Sequence, residues 1–180
     1  RLKIAVNMSP SQLYDLKFAD KLKNMAQKHQ VELSQFELEL TEDVALSNSI
    51  LVKKQLSQIR ALGATIAIDD FGKGYSNLAY LRDIEIDSIK IDKSFIMQID
   101  ESPVNRAIVE ASKLIAEAAN CELVAEGIET IQHLHILREI GVLSGQGFLF
   151  SKAIPINDFV DLANKDLAVG TSFVREHQRA

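Results

Sequence analysis

The sequence predicts an α/β fold of TIM-barrel-like (βα)8 type, with about six βα units in this chain and the first two expected to lie before residue 1. Three observations carry that expectation. Short β-branched runs alternate with longer amphipathic stretches six times over, and strand–helix repetition implies parallel strands joined by right-handed crossovers. Polar residues recur at or near the C-terminal end of each strand, where a barrel gathers its active-site groups. The 180 residues, 47% hydrophobic and 25% charged, suit one globular domain with a real core.

The elements follow in order. Residues 2–6 read as a strand and 18–29 as an amphipathic helix. In the strand over 36–40, Phe36, Leu38 and Leu40 take one face while Glu37 and Glu39 share the other. A helix over 44–62 is stopped by Gly63, as a C-terminal glycine should stop it. Residues 64–69 form a strand, and the loop DFGKGYSN leads into a short helix over 78–81. Strands over 86–91, 123–125 and, more weakly, 142–146 alternate with helices over 104–119, 131–140 and 156–164. No linker rich in proline, glycine or serine interrupts the pattern, so residues 1–170 read as one domain and 171–180 as a polar extension.

Composition narrows the function classes. The formal net charge of −5 argues against binding a nucleic-acid polymer, which needs a basic face. No run approaches the roughly 18 apolar residues of a membrane span, and the opening RLKIAVNMSP is strand-like rather than secretory. No membrane contact is expected from this segment. Cys121 is the single cysteine, which fits a reducing, cytoplasmic setting. The four histidines lack zinc-type spacing.

The strand ends carry Asn7, Glu39, Asp69 with Asp70, Lys90 with Asp92, Glu126 and Gln146. Carboxylates inside a parallel sheet are expensive unless paired or bound to metal. Asp69 and Asp70 can both aim inward only if the chain turns at once, which the following Phe71-Gly72 permits. Asparagine and carboxylate oxygens are hard ligands, suited to magnesium or manganese. Each residue also has a plain structural reading. Glu37 fits a polar layer of the barrel interior. Glu42 fits a first-turn helix acid, Asn7-Met8-Ser9-Pro10 a turn, and DDFG alone is a weak motif.

In order and at these spacings, the segments VNMSP, ELTE, IDDFGKGYSNLAYL, IDSIKIDKSFI, VAEGIET and QGFLFSK resemble the EAL domain family, from Arg1 to about Phe159. The resemblance implies a modified TIM barrel that hydrolyses cyclic di-GMP, a bacterial second messenger, to the linear dinucleotide pGpG with two divalent ions, Mg2+ or Mn2+. It implies Asn7, Glu39 and Asp69 as ligands of one metal, and Asp69, Asp70 and Glu126 as ligands of the other. Lys90 would contact the attacking water or the phosphate, and Gln146 would help fix the same region, so that Lys90, Glu126 and Gln146 form the catalytic set. Glu42 would anchor the loop DFGKGYSN, which in the family couples a homodimer contact to the metal site. A sensor or GGDEF domain upstream is a further implied partner.

Three departures from the family pattern stand out. The glutamate-alanine-leucine signature, which belongs on the strand before the one carrying Asn7, is absent, together with the arginine that usually follows it. Leu143 replaces an aspartate, and Ala153 stands where a proline is usual. The loss of a ligand leaves a second reading, a non-catalytic cyclic di-GMP receptor. The retention of Asn7, Glu39, Asp69, Asp70, Lys90 and Glu126 favours the enzyme over it. An enolase-like barrel would want a second base across the pocket, and no other lysine or histidine sits at a strand end.

Overall fold

The β-branched runs pair into one sheet whose spatial order is its sequence order. The computed structural model describes residues 2–46, 49–74 and 78–169. Strands β1 (Ile4–Asn7), β2 (Phe36–Thr41), β3 (Thr65–Phe71), β4 (Ser88–Ile91), β5 (Glu122–Ala125) and β6 (Ser144–Gly145) lie side by side in that order. Every pairing is parallel. Strictly sequential order is the winding of a barrel; a doubly wound sheet would reverse direction at a switch point. The chain is therefore a partial TIM-barrel-like α/β fold.

The helices are α1 (Pro10–Leu13), α2 (Phe18–His29), α3 (Glu42–Leu46), α4 (Ile50–Ala61), α5 (Lys93–Ile96), α6 (Pro103–Ala118), α7 (Ile131–Ile140) and α8 (Ile156–Val169), with 3-10 turns at Leu33–Gln35 and Leu78–Arg82. Helices α2 and α7 have the bounds expected from their periodicity, because local groups end them. Gln30 and Gly141 adopt left-handed conformations past the last turns, and the Thr130 hydroxyl accepts the His133 N–H at the start of α7. The single helix expected over 44–62 is instead two, α3 and α4. Ser49 between them is extended at φ −71° and ψ 123°, which no continuous helix allows. β6 shrinks to two residues, β1 ends at Asn7, and α8 runs past residue 164. The short α1 and α5 escape sequence reading because a single turn carries too little periodicity. The extension 171–180 and residues 75–77 of the glycine loop lie outside the described residues.

One face of the sheet is apolar: Leu38, Leu40, Ile66, Ile68, Ile89 and Ile91 are all buried. Residues alternating with them carry the polar groups in layers, as barrel interiors stack. Ser88 donates to Glu37 at 3.0 Å, which gives Glu37 the interior-layer role its plain reading expects. Two residues further along each strand, Lys90 and Glu39 form the next layer. The layers thus step towards the C-terminal ends.

Helix α6 opens with Pro103 after Ser102, whose hydroxyl accepts the Asn105 N–H at 3.2 Å. Ser102→Ala is expected to destabilise the chain by about 1 kcal/mol, and thermal denaturation should then fall by roughly 2–4 °C. No helix among the described residues is long and apolar enough to cross a membrane.

Candidate active site at the strand ends

Lys90 is the centre of the polar layer. It sits next to last in β4, 5% exposed, and its ammonium Nζ lies 2.6 Å from Glu39 Oε1, 2.5 Å from Glu126 Oε1 and 3.7 Å from Asp69 Oδ1. Glu39 in β2, Asp69 in β3 and Glu126, the residue just past β5, each send one carboxylate to it from the C-terminal parts of parallel strands. Gln146, just past β6, donates its amide to Glu126 Oε1 at 2.7 Å. Burial pulls the Lys90 pKa down, but hydrogen bonds to Glu126 and Glu39 outweigh it and hold the ammonium well above its ordinary range. Burial pushes the Glu126 carboxyl up, and the charges of Asp69 and Glu39 add to that against the pull of Lys90. Carboxylate repulsion is therefore only partly relieved by the one lysine.

The paired aspartates separate. Asp69 faces the Lys90 cluster and its Oδ1 accepts the Asp70 N–H at 2.9 Å. The turn needed at this point falls on Asp70 itself, at φ 55°, one residue earlier than the Phe71-Gly72 step expected from sequence. It coincides with a register shift between β3 and β4 from Ile68 to Phe71. The Asp70 carboxylate pairs with Lys73 at 2.7 Å and stands outside the cluster. Asn7 is the register partner of Glu39 and is exposed.

Glu42 opens α3 but its side chain turns to the glycine loop. It is 4% exposed, and its Oε2 accepts the Gly72 N–H at 3.3 Å. A Cβ on Gly74 would stand 3.2 Å from the same oxygen, so the loop backbone is drawn up against the carboxylate. On the other flank, a Cβ on Gly72 would meet the Phe95 ring at 2.8 Å. Gly127, directly after Glu126, has φ 73° and leaves room for Lys93, whose Cβ an added Cβ would approach to 2.5 Å. Reading the sequence picked out Glu42 but missed Lys73 and Phe95. The available signal was that Lys73 is the one cation within DFGKGYSN.

The donor set is chemically suited to hard divalent cations. Three carboxylates face one ammonium, which leaves two negative charges uncompensated in a mostly buried site. The carboxylates meet on Lys90, however, and among the described residues no group of three or more His, Cys, Asp or Glu side chains is spaced to hold a metal ion.

Residues 1–153 match the EAL domain family. The cyclic di-GMP phosphodiesterase PA2567 of Pseudomonas aeruginosa is 39% identical over 151 residues, which is 84% of this chain and 26% of that protein. Among solved structures, the PaMucR phosphodiesterase in complex with c-di-GMP has a TM-score of 0.82 at 36% identity, covering 87% of this chain and 64% of that one. Klebsiella pneumoniae BlrP1, solved as a manganese/cy-diGMP complex, has a TM-score of 0.77 at 32% identity, covering 83% of this chain and 38% of that one. The chain thus spans about a quarter of the length of the curated relative.

Proposed function

The chain belongs to the EAL domain family, and on that premise we propose that the full-length protein hydrolyses cyclic di-GMP to linear pGpG with two divalent ions, Mg2+ or Mn2+. The observation that carries the reading is the meeting of Glu39, Asp69 and Glu126 around Lys90 with negative charge to spare. The activity named for PA2567 and the manganese in the BlrP1 complex support it.

Asn7, Glu39 and Asp69 would hold one ion, and Asp69, Asp70 and Glu126 the other. Such ions supply a polarised water and positive charge for an in-line displacement at phosphorus. The remaining steps belong to the chain. Lys90, held as an ammonium, would face the negative charge developing on the phosphodiester once the carboxylates turn away from it. The Gln146 amide donates to one oxygen of Glu126 and would help position that carboxylate at the ion. Glu42 holds the start of the glycine loop, where we place a homodimer contact.

The direct test incubates full-length protein with cyclic di-GMP and Mn2+ and follows pGpG by chromatography. Tight nucleotide binding without any pGpG would replace this reading with that of a receptor. A second test concerns Glu42. Glu42→Ala is expected to lower turnover roughly tenfold, in the range of lost outer-shell support, with nucleotide affinity measured calorimetrically changing far less. Equal losses in both would instead make Glu42 a nucleotide contact.

A further inference from the structure

The loop aspartate and the end of β4 are tied together by one side chain. Lys73 Nζ lies 2.7 Å from Asp70 Oδ1 and 2.8 Å from Asp92 Oδ2. The two carboxylates differ in freedom. The Asp92 side chain is 3% exposed, and its Oδ1 accepts the Ser94 N–H at 2.9 Å, capping α5. That carboxylate is fixed from both oxygens. The Asp70 side chain is 43% exposed on a residue with positive φ, at the irregular end of β3. Lys73 is thus an arm held at a buried carboxylate and paired with an exposed one.

We infer that Lys73 is a built-in counter-cation that holds Asp70 out of the Lys90 cluster, so that Asp70 can join a divalent ion only by giving up Lys73. The inference rests on the metal-binding reading above and adds a residue which that reading does not use. Its physical basis is competition for one carboxylate between an ammonium and a metal, with the outcome biased by where the ammonium is anchored. Burial works against the Asp92 charge, but hydrogen bonds from Lys73 and Ser94 outweigh it and hold its carboxyl down to about 2. Asp92 therefore stays an anion able to share the lysine. The Asp70 pair is itself half exposed and contributes little to folding. Its consequence should be read in metal affinity rather than in stability.

The test measures Mn2+ binding to metal-stripped full-length protein by electron paramagnetic resonance of the free ion, in the absence of nucleotide. Lys73→Met is expected to tighten Mn2+ binding roughly fivefold, the effect of removing one nearby positive charge and freeing one ligand. Lys73→Arg keeps the charge and should stay within about twofold of the parent. Asp92→Asn retains an oxygen for the Ser94 N–H but leaves Lys73 wholly to Asp70, so binding should weaken. The double variant Lys73→Met with Asp92→Asn is decisive. With Asp70 freed, it should still bind more tightly than the parent, whereas a mere change in local field would return it to the parent value, because net charge is restored. A double variant at the parent value, or a Lys73→Met protein with unchanged or weaker binding, overturns the inference while leaving the metal reading in place. A parent protein that binds no Mn2+ overturns both.

Discussion

Asp69→Asn is expected to lower cyclic di-GMP hydrolysis by the full-length protein more than about a hundredfold, since even outer-shell partners of metal ligands are worth 10- to 100-fold. Asp69 is the residue proposed to serve both ions, so its lost charge is felt at each. The substitution is nearly isosteric. The asparagine retains an oxygen to accept the Asp70 N–H that Asp69 Oδ1 now accepts, so the end of β3 should keep its shape. Turnover assayed at saturating Mn2+, beside a thermal melt of the same sample, separates the two effects. Near-normal turnover would remove Asp69 from the metal set. Lost turnover with a collapsed melt would point to folding instead.

The second large effect is expected in the absence of metal. Lys90 is the cation on which three carboxylates converge, and removing one partner of a buried ionic group leaves the rest uncompensated. Lys90→Met should destabilise the metal-free protein by about 3 kcal/mol, which for a chain of this size lowers the melting temperature by roughly 6–12 °C. Divalent ions should then stabilise the variant more than the parent, because they replace the missing charge. Hydrolysis should be lost even so, since no ammonium remains to face the phosphodiester. A metal-free variant that melts with the parent would mean that Lys90 does not hold these carboxylates together.

Much of this molecule was legible locally. The period-two pattern of FELEL put Glu37 and Glu39 on the polar side of β2, and the structure finds both there, one layer apart. The bounds of α2 and α7 were readable because the residues that end them act on their own turns. Glu42 stood out through its segment and does touch the glycine loop. What went wrong was also local in origin. Apolar periodicity runs on through residues 44–62, and it cannot register that Ser49 is extended and starts a new helix.

By itself the sequence determined the order of strands and helices, the polar face of β2 and the set of acids at the strand ends. These follow from backbone periodicity and from residue chemistry, which a linear chain carries at every position. Only the tertiary structure decided which of those acids meet. Glu39 and Lys90 are 51 residues apart and share a hydrogen bond, because β2, β3 and β4 lie side by side in a particular register. The same register, slipped at Asp69 and Asp70, sends one aspartate to Lys90 and the other to Lys73. Adjacent in sequence and identical in chemistry, these two side chains are distinguished only by the backbone turn at Asp70 and by which cation the neighbouring elements place within reach of each.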